Sequence, residues 1–138
     1  MKVAIDTRPL HNQSASRGIG MYTAHLMKYL RMLPGLDIVE LKEGAAPIGT
    51  QIIHYPWFDL FYPTLPLRRE LPTVVTIHDV TPLVLKQYYP AGIKGNVSLL
   101  RQKIALKSVK AILTDSLVSK QDIIEYLKVP SEKVHVCY

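Results

Sequence analysis

Short apolar runs that alternate with longer helical patterns are the feature that most constrains the fold of this chain. The runs lie at 2–5, 37–41, 51–54, 73–77, 111–114 and 132–138, and they have the length and β-branched content of buried strands. Strands that alternate with helices indicate βαβ units. The sequence therefore predicts an α/β fold: a single Rossmann-like domain over 1–138, with a mostly parallel sheet and helices on both faces.

Three helices are predicted between these runs. The first follows a glycine-containing turn at 17–20 and ends at Pro34 and Gly35. The second covers about 95–109, with apolar positions at Val97, Leu100 and Ile104. The third runs to about residue 127, and Asp115 or Ser116 can cap it. The segments 7–18, 55–72 and 82–90 are predicted to be irregular, because polar residues or prolines interrupt any period.

Composition restricts the class of protein. The chain has 138 residues, of which 48% are hydrophobic and 20% charged, as in a globular domain. Its net charge of +6 favours an acidic partner such as nucleic acid, an anionic lipid surface or a phosphorylated small molecule. The basic run from Lys94 to Lys110 lacks the stacking aromatics of a nucleic-acid reader, so we predict no nucleic-acid partner and interpret the run as a solvated helix face.

The single cysteine, Cys137, excludes an intrachain disulfide and a cysteine-cluster metal site, and it suits a reducing compartment. Three of the five histidines, His11, His25 and His135, are not spaced along the sequence in the way that metal ligands are, so we predict no metal site. No apolar run has the length of a signal peptide or a membrane span. We expect a cytoplasmic protein and leave peripheral membrane contact open.

Candidate site residues lie where predicted strands end. Asp6, His54 and the pair His78 and Asp79 each follow or close an apolar run, and the turn at 17–20 precedes a helix. In open α/β sheets, ligands bind outside the carboxyl ends of the strands. These residues are therefore predicted to share one edge of the sheet and to line a ligand site there.

The turn before the first helix can bind an anion. Gly18 and Gly20 would allow a phosphate to approach unpaired backbone N–H groups, and Arg17 would add charge-assisted hydrogen bonds. Alternatively, the glycines only let the chain turn into its helix. The third glycine of the dinucleotide fingerprint is missing, which makes a dinucleotide-dependent oxidoreductase improbable, and no cofactor is predicted.

The histidines also have structural alternatives. His78 could position a sugar hydroxyl or stabilise developing charge, but an isolated His-Asp pair is more often structural. Neighbours in a strand point to opposite faces, so Asp79 is expected to cap the following turn rather than orient His78. His54 begins an aromatic loop that could line a pocket for a sugar or lipid, although packing over the sheet edge is the commoner outcome.

Taken in order, the motifs resemble a known family. MKVAIDTRPL, RGIGMYTAHLMKYL, IIHYP, TVVTIHDVTPL and AILTDSLVSKQDIIEYLKVPSEKVHV are similar to the amino-terminal domain of family 4 retaining glycosyltransferases, which have the two-domain GT-B architecture. The resemblance implies transfer of a sugar from a nucleotide sugar to an acceptor hydroxyl in carbohydrate or polysaccharide biosynthesis. It implies that Gly18 and Gly20 lie near the donor diphosphate, and that His78, accompanied by Asp79, contacts the transferred sugar.

The resemblance also implies a second, carboxyl-terminal domain that holds most of the nucleotide-sugar site, including a pair of carboxylates. This sequence does not contain that domain, so we expect an acceptor-side half, from a truncated, split or degenerate relative, with little activity alone. The alternative is a stand-alone binding or assembly module that uses the exposed cleft face to bind a partner or a second copy of itself.

Overall fold

The structure, a computed structural model, describes residues 1–13, 15–41 and 45–138. These residues form one six-stranded sheet in which all neighbouring strands are parallel. The strands are β1 (Lys2–Asp6), β2 (Asp37–Leu41), β3 (Ile52–Tyr55), β4 (Thr73–Thr76), β5 (Ala111–Thr114) and β6 (Val134–Val136). Their order across the sheet is β2-β1-β3-β4-β5-β6. The predicted α/β, Rossmann-like fold is confirmed.

Five helices and one 3-10 turn accompany the strands in the described part of the chain. The helices are α1 (Arg8–His11), α2 (Gly18–Leu30), α3 (Thr81–Val84), α4 (Gly92–Leu106) and α5 (Leu117–Leu127), and the 3-10 turn is Ser131–Lys133. Helix α2 ends before Pro34 and Gly35, and Gly35 has a φ of 79° that only glycine adopts freely.

Helices cover both faces of the sheet. On one face, Met27 of α2 packs with Val3, Ile5 and Ile38 of strands β1 and β2. On the other face a larger cluster combines the inward residues of β4 and β5 with α4, α5 and the irregular segment before β4. It contains Tyr55, Leu60, Leu65, Val75, Ile77, Leu106, Ile112, Ile123 and Leu127. Alternation along each strand sends successive side chains to these two cores.

The strand order creates a switch point between β1 and β3. From β1 the chain crosses to β2 on one side, and from β3 it continues to β4 on the other side. Such a point leaves a crevice at the carboxyl ends of the strands, where ligands bind in open α/β sheets. The fold therefore directs attention to the edge where β1, β3, β4 and β5 end.

Most predicted elements are found within a few residues of their expected positions. Strands β2 and β5 have the predicted bounds, and 55–72 contains no helix or strand apart from Tyr55, the last residue of β3. Two short helices, α1 and α3, lie in segments predicted to be irregular, and α4 begins three residues earlier than predicted, at Gly92. Each short helix has a proline in its first turn, which suits a helix start but gives no period to detect.

Helix α4 differs from expectation in the face that it buries. The apolar positions that indicated this helix, Val97, Leu100 and Ile104, are exposed. Its buried residues are Gly95, Gln102, Ala105 and Leu106. Gly95 is tightly packed, because a Cβ there would lie 3.1 Å from Ala91 Cβ and in ordinary contact, at 3.5 Å, with the Phe61 ring. No described helix is long and apolar enough to cross a membrane.

Candidate functional site

Four residues lie at the edge of the sheet where the strands reach their carboxyl ends. We call this edge the rim. The four residues are Asp6 at the end of β1, Pro56 after β3, His78 after β4 and Asp115 after β5. The parallel arrangement brings together these residues, which are far apart in sequence. Two clusters form there, one around His78 and one around Asp6.

His78 is the centre of the first group, the β4 cluster, which consists of His78, Asp115 and Tyr22. The His78 side chain is 24% exposed, and its Nδ1 lies 2.7 Å from Oδ2 of Asp115. Since a carboxylate accepts, Nδ1 donates this hydrogen bond. Nε2 makes only a long contact of 3.4 Å with the Pro56 carbonyl oxygen. The ring is thus oriented from one nitrogen, while the other remains weakly bonded.

Tyr22 of α2 forms the third side of this cluster. Its ring meets the His78 ring edge-on, with centroids 4.8 Å apart and an interplanar angle of 88°. Burial raises the pKa of the Tyr22 phenol, a hydrogen bond with Thr76 acts against that rise, and the negative charge of Asp115 adds to it. Tyr22 therefore joins the helix that begins at the glycine turn to the strand end that carries His78.

His54 supports Tyr22 from the interior rather than facing the rim. It is buried, and its Nε2 lies 2.9 Å from Thr76 Oγ1, which in turn lies 3.3 Å from the Tyr22 hydroxyl. Burial lowers the pKa of His54 to about 4. The ring is therefore neutral at pH 7, and its place is in a hydrogen-bonded chain beneath the site.

Asp79 and Ser116 serve as local caps. Asp79 is exposed, and its Oδ1 accepts a hydrogen bond of 2.8 Å from the backbone N–H of Thr81, where α3 begins. Ser116 is the N-cap of α5 and accepts from the Ser119 N–H at 3.0 Å. The carboxylate that orients His78 is Asp115, which sequence reasoning had considered only as a helix cap.

The glycine turn lies at the start of α2, about one turn before Tyr22. Gly18 is exposed, and a Cβ added there would meet no atom within 4 Å, so space around the first turn of α2 is open. Gly20 is buried in the same turn. Arg17 is the N-cap residue, is exposed and makes no side-chain cap bond. The structure thus brings the turn and His78 to one region through α2, while the Arg17 side chain extends into solvent.

Asp6 belongs to a second group, the β1 cluster, which consists of Asp6, Arg8 and Trp57. Only 2% of Asp6 is exposed, and its carboxylate accepts hydrogen bonds from the Arg8 backbone, the Arg8 guanidinium and, at 2.7 Å, Trp57 Nε1. Burial acts to lower the pKa of Arg8, but the hydrogen bond and charge of Asp6 raise it overall. Both carboxylate oxygens of Asp6 therefore already accept hydrogen bonds from groups within the protein.

A pocket of about 900 Å³ adjoins the β1 cluster. Its lining includes Asp6, Arg8, Tyr55 and Arg69 but not His78. Arg8 is bonded to Asp6 and to the Thr64 carbonyl, and Arg69 donates to the Ala105 carbonyl and the Ser108 hydroxyl. Asp6 and Arg8 therefore already have partners, whereas the buried Nε of Arg69 has no hydrogen-bond partner among the described residues. The pocket keeps this one unpaired donor, and volume alone does not make it the better candidate.

The aromatic loop after β3 packs against the protein, as its commoner interpretation predicted. Tyr55 is buried in the larger core cluster, and Phe58 packs against that cluster. The structure adds Tyr22 and Asp115 to the residues around His78. The sequence does not indicate Tyr22 as a site residue, since its contact with His78 depends on how α2 crosses the sheet.

No protein-family model matches the chain, and no curated protein matches it either. In the described ranges, no group of three or more His, Cys, Asp or Glu side chains could hold a metal ion. What is established is an α/β domain with six parallel strands and a rim that carries the β4 cluster. Function has to be argued from that geometry.

Proposed function

We propose that the chain is the acceptor-side domain of a retaining glycosyltransferase, which moves a sugar from a nucleotide sugar to an acceptor hydroxyl. The observation that carries the proposal is the position of His78. It follows β4 on the rim, is held through Nδ1 by Asp115, and touches the helix that starts at Gly18. The ordered motifs that resemble the amino-terminal domain of family 4 glycosyltransferases support the same assignment.

In this proposal, Nε2 of His78 makes the productive contact. A ring oriented by one bond can present its other nitrogen to a sugar hydroxyl with little loss of freedom. The transferred sugar then lies against Nε2 in place of the long contact with the Pro56 carbonyl. During transfer, the bond from the anomeric carbon to the diphosphate oxygen breaks and that oxygen takes its electron pair. The acceptor oxygen bonds to the anomeric carbon and gives its proton to the leaving diphosphate.

In the same proposal, the open turn at Gly18 binds the leaving diphosphate. Negative charge grows on the leaving diphosphate, and the N–H groups in the first turn of a helix stabilise such charge. The absence of a side chain at Gly18 leaves room for this approach. Exposed Arg17, the N-cap residue of α2, supplies a cation beside this turn. The nucleotide itself is held by a second domain, so this domain alone transfers sugar slowly or not at all.

The test joins the chain to a donor-binding domain taken from a retaining glycosyltransferase of the same architecture. Release of nucleotide and transfer to simple sugar acceptors are measured with UDP-glucose, UDP-N-acetylglucosamine and GDP-mannose. We expect activity in the hybrid, retention at the anomeric carbon, and a loss of about a hundredfold in His78→Ala.

His135→Ala is the matched control, because His135 is an exposed histidine on β6. It should leave the rate unchanged. A hybrid that releases no nucleotide with any of the three donors would contradict the proposal. So would a folded His78→Ala hybrid that transfers sugar at the rate of the parent.

The apolar groove of α2 supports a second candidate, a binding or assembly module. The groove has a volume of about 550 Å³ and is lined by Tyr22, His25, Leu26, Tyr29, Leu30, Met32 and Leu33. Met32 and Tyr29 are 71% and 60% exposed. A protein partner or second copy that covers this groove would bury that surface. Sedimentation as a monomer at all concentrations, with the hybrid active, would favour the transferase.

A further inference from the structure

The outward face of α4 carries an apolar stripe, which we define as Ile93, Val97, Leu100 and Ile104. These residues recur at steps of four, three and four, which places them on one side of a helix. They are 86%, 64%, 62% and 51% exposed. The opposite side of α4 already packs against the core through Ala105 and Leu106. A helix that is apolar on both sides is normally covered on both sides.

Basic residues border the stripe on both sides. Lys94 and Arg101 each follow a stripe residue by one position, so they lie along one border. Lys103 and Lys107 lie along the other border. From Gly92 to Leu106 the helix has no acidic residue, so nothing on α4 itself balances these charges.

The basic character extends beyond the helix. Between Asp79 and Asp115 the sequence has six basic residues and no acidic one. No ion pair involves these six residues within 1–13, 15–41 and 45–138. Burial lowers the pKa of Lys103, and the positive charges of Lys86 and Lys128 lower it further. The cations repel one another, and an anionic partner would relieve that repulsion.

We propose that α4 is the surface by which this domain binds an anionic lipid bilayer. Aliphatic side chains flanked by lysine and arginine are the pattern of helices that lie in the plane of a membrane interface. The stripe would enter the acyl boundary while the bordering cations contact lipid headgroups. Charge complementarity selects an anionic surface rather than a neutral one. This inference does not depend on the transferase assignment.

The geometry separates this surface from the rim. The stripe lies on the side of α4 that faces away from the sheet, whereas His78 lies at the end of β4. Binding through α4 therefore leaves the β4 cluster accessible. An acceptor carried in the same bilayer would be brought close to the domain, and it would not compete with the bilayer for the α4 surface.

The test is sedimentation of the full chain with vesicles of phosphatidylcholine, alone or mixed with phosphatidylglycerol. We expect binding to the mixed vesicles only, and binding that weakens as NaCl rises. The triple variant Val97→Ser, Leu100→Gln, Ile104→Gln should lower the partition coefficient by about tenfold or more. The triple variant Lys94→Gln, Arg101→Gln, Lys107→Gln should lower it by about fivefold for each cation removed.

The matched control is Met32→Gln with Leu33→Gln, which removes exposed apolar side chains that line the α2 groove and lie outside α4. It should bind vesicles like the parent. Circular dichroism is the check that each variant is folded, which we expect because the substituted side chains are exposed. Vesicle binding that survives removal of the stripe, or that is equal on neutral vesicles, would overturn the proposal.

Two further results would also overturn it. One is the absence of binding to mixed vesicles. The other is a dimer of the parent chain that the stripe variant converts to a monomer, because a second copy of the chain would then be what covers α4. Capture by an acidic peptide without vesicle binding would assign the surface to a protein partner instead.

Discussion

The β1 and β4 clusters occupy the same rim but differ in how completely their polar groups are bonded. In the β1 cluster, the buried Asp6 carboxylate accepts from Arg8 and from Trp57, so each of its oxygens has a donor. In the β4 cluster, His78 has one short bond, to half-exposed Asp115, and one long contact. One cluster holds the fold together, and the other has unused bonding capacity at the surface.

This difference separates structural carboxylates from functional candidates. Both clusters contain an acid and a neighbouring cation or histidine at a strand end, so position on the rim does not distinguish them. What distinguishes the two clusters is whether their polar groups already have all of their hydrogen-bond partners. A group whose partners are all internal contributes to stability, whereas an oriented group with a weakly bonded nitrogen is able to bind a ligand.

Removal of the Asp6 carboxylate should have the largest effect on stability. Asp6→Ala leaves the Arg8 guanidinium and the Trp57 N–H without their buried partner, and we expect a loss of about 3 to 4 kcal/mol. Urea unfolding measures it. The control is Asp37→Ala, which breaks an exposed pair with Lys2 and should cost below about 1 kcal/mol. Equal losses in the two variants would remove the distinction between buried and surface pairs.

Acid should destabilise the fold through His54, which lies beneath the β4 cluster. The pKa of His54 is about 4 in the folded chain and about 6.5 in the unfolded chain. As the pH falls below 6.5, His54 is therefore protonated in the unfolded chain before it is protonated in the folded one. Stability should fall as pH decreases from 6.5, by about 3 kcal/mol at pH 4. This contribution is fully present above pH 6.5.

His54→Gln keeps an amide able to bond Thr76 but does not titrate in this range. Its unfolding free energy, measured against pH, should lack the contribution that His54 makes in the parent. Parallel curves for parent and variant between pH 6.5 and pH 4 would show that His54 is not the responsible group.

The cap beside the β4 cluster should have a moderate effect. Ser116→Ala removes the acceptor for the Ser119 N–H at the start of α5, and we expect a loss of about 1 kcal/mol in thermal or urea unfolding. Ser131→Ala, at an exposed serine in a 3-10 turn, is the control and should be near neutral. A neutral Ser116→Ala would contradict the capping role.

Substitution within the β4 cluster should have the smallest effect on stability. His78→Ala removes a partly exposed pair, so the free energy of unfolding should change by less than about 1 kcal/mol. A loss as large as that in Asp6→Ala would mean that His78 is a structural residue, and it would erase the difference between the two ends of the rim.

The fold was predictable because strand signals are local. The bounds of β2 and β5 match the predicted 37–41 and 111–114, since β-branched runs between polar residues specify buried strands without knowledge of the rest of the chain. Helix α4 shows the limit of the same reasoning. This helix has apolar residues on two sides: Leu99 and Leu106 on one, and Val97 and Leu100 on the other. The sequence pattern does not show which side faces the sheet, because only packing decides which side is buried.

The candidate site was predictable in place but not in partners. His78 could be assigned to a strand end, because the apolar run before it is local. Its bond to Asp115 spans 37 residues and depends on β4 pairing with β5. The bond of Trp57 to Asp6 spans 51 residues and depends on the loop after β3. Contacts of this kind require the sheet register, which one sequence does not supply.

The most direct test of the division of the rim is a titration of the hybrid, made with this chain ¹⁵N-labelled and joined to the donor-binding domain, with UDP-glucose and GDP-mannose while the amide chemical shifts of this chain are followed. The account predicts that the amides of Gly18, Gly20 and His78 move with a common saturation curve, while those of Asp6, Arg8 and Trp57 stay in place. Shifts confined to Arg8 and Trp57, with His78 unmoved, would contradict it and would place the ligand at the β1 cluster.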